Sequence, residues 1–203
     1  MSTDGPRLSF WFEFASTYSY LAAARMGAAA HAAGIAIDWR PFLLGPIFAD
    51  QGMTDSPFNL FAAKGAYMWR DMARLAGDLG LPFQRPSQFP RNGLLAARVA
   101  TAGLGEAWAP GFVVAVYRAN FGEDKDIADP ALLAALVTAA GGDGTAALAA
   151  AATPAVKDRL RASTQAAKAL GIFGAPSFTT PDGELFWGND RLEQAFAWAR
   201  RGY

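Results

Sequence analysis

The apolar positions of the chain follow three successive rhythms. Leu8 to Phe14 is a short apolar, aromatic-rich run with a single acid, Glu13, and it reads as a buried strand. From Thr17 to Ala33 the chain is alanine-rich with Leu21 and Met26 at helical spacing, and Gly34 supplies the stop. Ile35 to Arg40 alternates as a second strand that Pro41 closes. Two strands joined through a helix in this way lie parallel and side by side.

The character then changes. A Gly/Pro-punctuated loop is predicted from Gly45 to about Ser56, followed by helical patterns over 57–79, 92–103, 106–121, 130–139, 145–152 and 154–170. Pro82, Pro86, Pro90, Pro110, Pro130 and Pro154 fall near proposed helix starts or linkers, where a fixed φ is favourable. Sheet character returns at Ser177–Thr180, Pro181-Asp-Gly183 makes a tight turn, and Glu184–Trp187 supplies the partner strand. Asn189 then caps a last helix from Arg191 to Arg200. The order is β-α-β, a block of helices, then α-β-β-α. It predicts an α/β fold with a thioredoxin-like core, residues 1–44 and 171–203, and an inserted all-helical domain, residues 45–170.

Composition narrows the function classes. Of 203 residues, 52% are hydrophobic and 13% aromatic, enough to fill a sizeable core. Eighteen basic and eighteen acidic residues cancel, so nothing favours nucleic acid as a partner. Apolar runs break well before the roughly 18 residues of a membrane span. The Met-Ser-Thr-Asp-Gly-Pro-Arg start has no apolar signal segment, which leaves a cytoplasmic location as the expectation. There is no cysteine, so the chain cannot perform thiol–disulfide exchange with its own side chains.

That absence matters because Ser16 stands at the strand-to-helix junction in Phe12-Glu-Phe-Ala-Ser-Thr-Tyr-Ser-Tyr-Leu21. A thiolate at a helix N-terminus is favoured by the dipole and the free N–H groups. Any sulfur chemistry here must use a bound thiol, which Ser16 is placed to hydrogen-bond. Plain N-capping by Ser16 or Thr17 is the competing explanation. Gly188-Asn-Asp-Arg191 at a helix start offers side-chain oxygens and N–H groups to a ligand, or else is ordinary capping. On the first inserted helix, Lys64, Tyr67 and Asp71 recur at spacings of three and four and should share a face, with Arg70 beside them; a solvated polar stripe has the same spacing. Phe89-Pro-Arg-Asn92 reads as a helix entry. His31 is the only histidine, no metal-ligand spacing exists, and no Gly-x-Ser-x-Gly elbow is present, so no metal is expected.

Five stretches together resemble the family of 2-hydroxychromene-2-carboxylate isomerases and kappa-class glutathione transferases, within the DsbA-like branch of the thioredoxin fold. They are Phe12–Leu21, Arg40–Gly45, Ala63–Asp71, Gly171–Phe178 and Leu185–Leu192, in the family's order and across nearly the whole chain. The resemblance implies glutathione as the cofactor, with Ser16 as the catalytic residue that hydrogen-bonds its sulfur. It also implies that Ala175, ahead of a cis Pro176, pairs its backbone with the cysteinyl part. Asn189 and Asp190 would then hold the γ-glutamyl end, and Lys64 would lie near the glycyl carboxylate. Two positions depart from the family pattern: Thr17 replaces a proline, and Gly52-Met-Thr-Asp-Ser-Pro-Phe58 lacks an expected asparagine.

The activity so implied interconverts 2-hydroxychromene-2-carboxylate and trans-o-hydroxybenzylidenepyruvate, or a close aromatic 2-oxo acid, by reversible thiol addition. Tyr67 and Arg70 are the candidates for the aromatic wall and the carboxylate partner. The rivals are a kappa-type glutathione transferase that conjugates electrophiles and a non-catalytic DsbA-like binding protein. A homodimer is expected from the resemblance alone.

Overall fold

A computed structural model of the chain describes residues 5–201. Strand β1 (Arg7–Phe12) is buried on both sides, and its period of two divides its side chains between two apolar clusters. Leu8, Phe10 and Phe12 face the main core. Trp11 points the other way, into a smaller cluster with Phe42, Ile47, Ala167 and Ile172. A strand covered on both faces belongs at the centre of a sheet, and the order is β2-β1-β3-β4. Strand β2 (Ala36–Pro41) runs parallel to β1, with Phe10 opposite Trp39. Strands β3 (Ser177–Thr179) and β4 (Leu185–Trp187) add antiparallel, with Phe10 also opposite Phe178.

Helix α1 (Thr17–Ala33) makes the crossover. The Ser16 side chain accepts the Ser19 N–H at its start, and Gly34 at φ 66° returns its N–H to Ala30 and His31 at its end. Eight helices separate β2 from β3: α2 (Leu44–Asp50), α3 (Pro57–Leu60), α4 (Ala62–Asp78), α5 (Leu94–Ala102), α6 (Ala109–Phe121), α7 (Pro130–Ala139), α8 (Gly144–Ala152) and α9 (Pro154–Ala169). A 3₁₀ turn (Asn189–Arg191) and α10 (Leu192–Ala199) follow β4.

Three local expectations change. The 45–56 segment is not all loop, because α2 occupies its first part. Ile47 buries into the Trp11 cluster, and Pro46 lies in the first turn, where its missing N–H removes no helical bond. The pattern over 57–79 is two helices, broken at Phe61 in an extended conformation. Gly65 permits that break, because a Cβ there would stand 2.1 Å from the Phe58 carbonyl oxygen. Asn189 opens the 3₁₀ turn rather than capping α10 directly.

The inserted helices share one core with the sheet. Met68 and Met72 of α4, Val99 of α5, Phe112 and Val116 of α6, and Leu133 and Val137 of α7 join Leu8, Phe10 and Phe12 in a single buried cluster. Tyr117 of α6 carries that packing to the strand end: its ring centroid lies 5.2 Å from that of Phe14 and 6.3 Å from that of Tyr20. Among the described residues no helix is long and apolar enough to cross a membrane.

Candidate active site

The turn that leaves β1 is pinned from three sides. The Ser16 N–H donates to the Glu13 carbonyl at 3.0 Å, and the Ala15 N–H donates to Glu13 Oε2 at 3.0 Å. From α6, the Tyr117 hydroxyl donates to the Glu13 carbonyl at 2.8 Å and the Asn120 amide donates to the Phe14 carbonyl at 3.1 Å. Ser16 is therefore fixed at the head of α1. Its Oγ accepts the Ser19 N–H at 3.3 Å and donates to the Ala175 carbonyl at 2.8 Å. Residues 159 positions apart thus meet at one point.

The far side of that contact is equally fixed. The Ala175–Pro176 peptide is cis, the Gly188 N–H donates to the Pro176 carbonyl at 2.9 Å, and Ser177 Oγ donates to the Gly174 carbonyl at 2.9 Å. Gly174 is small because a Cβ there would lie 2.4 Å from Trp187 Nε1. The Ala175 N–H has no hydrogen-bond partner among the described residues, which leaves a free main-chain donor beside Ser16.

Around this contact lies a cleft of about 1220 Å³, bounded by the head of α1, the Ala175 turn, the 188–191 segment, α2, α4 and the 89–94 loop. Ser16, Lys64, Ala175, Pro176, Asn189 and Asp190 all line it. Lys64 is exposed, its ammonium 5.8 Å from the Phe61 ring centroid, and it has no ion-pair partner among the described residues. Asn189 is nearly buried, and its side-chain oxygen accepts Arg25 Nε at 3.1 Å. Arg25 also holds the Asn189 carbonyl and pairs with Glu193, so the amide nitrogen of Asn189 is the part left for a ligand. Asp190 is exposed, and only Gly188 tolerates its side chain so close: φ is 111° there, and a Cβ would meet Asp190 Oδ1 at 2.5 Å.

Tyr67 and Arg70 do not line the cleft. Lys64, Asp71 and Leu75 of α4 do, while Gly65, Met68, Met72 and Ala76 face the core. At roughly 100° per residue, Tyr67 and Arg70 fall about 60° and 120° from Lys64, on the side away from the core. Tyr67 is exposed and stacks under the Arg74 guanidinium at 5.7 Å. A shared spacing of three or four residues was too coarse to separate the cleft edge from the open face. Asp71 does reach the cleft, accepting the Tyr18 hydroxyl at 3.0 Å and pairing with Arg74. Partial burial, reinforced by the Asp71 carboxylate, pushes the Tyr18 hydroxyl pKa up.

Three features escaped the sequence reading. Glu13 lines the cleft, and burial raises its carboxyl pKa to about 7 against the opposing bond from the Ala15 N–H. Its signal was present as the one acid in an aromatic strand. Arg25 sets the orientation of Asn189, and a lone arginine in an alanine-rich helix was the available hint. Arg91 is buried and anchors the 89–94 loop through the carbonyls of Asp124, Asn120 and Lys125, with its charge paired to Asp124. The Phe89–Pro90 peptide of that loop is also cis.

The family model of the DSBA-like thioredoxin domain matches residues 7–196. This chain belongs to that family. Among characterised proteins, it is 29% identical to a 2-hydroxychromene-2-carboxylate isomerase of Sphingobium xenophagum, covering 92% of this chain and 94% of that one. It is also 29% identical to human glutathione S-transferase kappa 1, over 92% and 87% of the two chains. A solved structure of a 2-hydroxychromene-2-carboxylate isomerase superposes with a TM-score of 0.83 at 27% identity, covering 96% and 95%. The DsbA-like fold of this chain is thus shared with a solved structure named as a 2-hydroxychromene-2-carboxylate isomerase.

Proposed function

We propose that this DsbA-like protein is a glutathione-dependent isomerase of an aromatic, conjugated 2-oxo acid, of the 2-hydroxychromene-2-carboxylate class. The observation that carries the reading is the Ser16 hydroxyl, fixed at the N-terminus of α1 and bonded to the Ala175 carbonyl. A thiolate placed there accepts the hydrogen bond that the Ser16 hydroxyl otherwise gives to Ala175 and faces the helix N-terminus, and both favour the charged sulfur. The free Ala175 N–H suits main-chain pairing with an extended peptide. Asn189 and Asp190 on one flank and Lys64 on another offer polar and charged contacts for the two ends of a short anionic peptide. The cleft exceeds the roughly 300–1,000 Å³ of an ordinary small-molecule pocket, so a tripeptide and an aromatic acid fit together.

In this reading the chromene hemiketal first opens, its C–O ring bond breaking as the hemiketal O–H proton is lost and the phenol oxygen takes one up. The thiolate then adds to the alkene carbon β to the ketone so released. The π electrons move onto the carbonyl oxygen as an enolate, and the former double bond becomes single and rotates. Reversal of the electron flow expels the thiolate and restores the conjugated ketone in the other geometry. The thiol is returned in each cycle, which defines the test. With 2-hydroxychromene-2-carboxylate as substrate, trace glutathione should support many turnovers at constant free-thiol titre. Consumption of one thiol per product, with a conjugate accumulating, would replace this reading by that of a transferase.

A further inference from the structure

We propose that Glu13 is the proton carrier of this site, taking the proton of the bound thiol and passing it to the enolate oxygen of the adduct. The inference rests on the functional reading above and adds a second catalytic residue to Ser16. The geometry begins with position. Glu13 is three residues before Ser16 on the same pinned turn, and both side chains line the cleft. Its Oε2 is oriented by the Ala15 N–H, while Oε1 has no hydrogen-bond partner among the described residues. The loop carrying Asn92 and Leu94 closes over it at Gly93, where a Cβ would stand 3.3 Å from Oε1 and 3.1 Å from the Phe14 Cβ. Glu13 therefore lies where the 89–94 loop, with Phe89, Asn92 and Leu94, walls the cleft.

The surrounding charges leave this carboxyl without a cation. Tyr117 of α6 presses against the same turn, and its hydroxyl is committed to the Glu13 carbonyl. Arg91, from the 89–94 loop, gives its guanidinium to Asp124, Asn120, Ser87 and Lys125. Tyr18 and Asp71 are bonded to each other, and Lys64 pairs with no acid among the described residues. Among the described residues no ion pair involves Glu13. Burial of an unpaired carboxyl brings its titration close to neutrality, where a group both accepts and donates readily.

The proton balance is closed. The Glu13 carboxylate takes the S–H proton, giving thiolate and carboxylic acid. Addition of the thiolate to the alkene carbon gives an enolate, whose oxygen receives the same proton, giving an enol and regenerating carboxylate. After rotation the carboxylate removes the enol proton, the ketone and alkene re-form, the C–S bond breaks, and the departing thiolate recovers the proton.

The test compares wild type, Glu13→Gln and Glu13→Asp in three measurements. Glutathione affinity is read from the melting shift, turnover of 2-hydroxychromene-2-carboxylate from pH 5 to 9, and the Glu13 carboxyl itself by ¹³C NMR titration. The expected result is a wild-type carboxyl inflection near 7, matched by a limb of the kcat profile at the same pH. Glu13→Gln should keep glutathione affinity at pH 6 but lose that limb and about 10²-fold or more in kcat; Glu13→Asp should retain the limb. Glu13→Gln turning over at the wild-type rate with an unchanged profile overturns the role of Glu13 alone, as does a wild-type carboxyl titrating in the ordinary range. Wild type that neither binds glutathione nor isomerises the substrate overturns the functional reading and this role with it. The NMR titration and the profile of wild type decide the matter even where the glutamine variant does not fold.

Discussion

Replacing Glu13 by glutamine should make the protein more stable at neutral and alkaline pH, and the size of the gain follows from the site. The Glu13 carboxyl moves from an ordinary value of 4.5 to about 7 on folding, because burial penalises the charged form more than the Ala15 N–H favours it. Between those two values the folded state holds a proton that the unfolded state has released. Stability therefore falls as pH rises through this window. The contribution is intact below 4.5 and lost once pH passes about 7. At about 1.36 kcal/mol per pKa unit, the full shift corresponds to about 3 kcal/mol. Solvent reaches Glu13 from the cleft mouth, so that figure is an upper bound, and about 2 kcal/mol is the working expectation. Glutamine keeps the shape and an acceptor for the Ala15 N–H but carries no charge. The two proteins should match near pH 4.5 and diverge above it, with the variant melting about 4–8 °C higher at pH 8 for a chain of this size. Urea or thermal unfolding followed by circular dichroism at four pH values between 5 and 8 reads the difference. Parallel curves for the two proteins across that range would refute the argument that burial of the unpaired carboxyl sets its pKa.

Further outcomes follow from other contacts. Ser16→Ala removes the donor to the sulfur and should lower kcat by about 10²–10³-fold, as loss of one preorganised donor does; its loss as a helix cap should cost about 1 kcal/mol in chemical denaturation. Glutathione at about 100 times its Kd should stabilise the wild type by about 2.7 kcal/mol by mass action, and the same concentration should shift Asn189→Ala or Lys64→Ala less. Tyr67→Ala and Arg70→Ala should leave that shift and the KM unchanged, since neither side chain lines the cleft; a raised KM would return them to the site. Arg91→Ala removes the buried hub that ties the 89–94 loop to the carbonyls of Asn120, Asp124 and Lys125, and should lower the midpoint of urea denaturation.

Local patterning by itself determined much of this protein. The apolar, aromatic-rich run of Leu8–Phe14, helical spacing with Gly34 as stop, and alternation after Gly34 specify β1, α1 and β2, because these signals depend on neighbours a few residues away. Ser16 at the head of a helix was legible for the same reason, as were the paired strands around Pro181-Asp-Gly183. The absence of cysteine settled that the chain supplies no thiol of its own. Tertiary structure decided the rest. The phase of α4 against the core, set by the burial of Met68 and Met72, brought Lys64 and Asp71 to the cleft and turned Tyr67 and Arg70 away. The second core around Trp11 converted the first part of the loop predicted from Gly45 into α2. Glu13 became an ionisable group near neutrality only because α6 and the Gly93 loop, some 80 to 104 residues further along, cover it on the sides away from the cleft. Burial is a sum over segments distant in the chain, so no local window of sequence contains it.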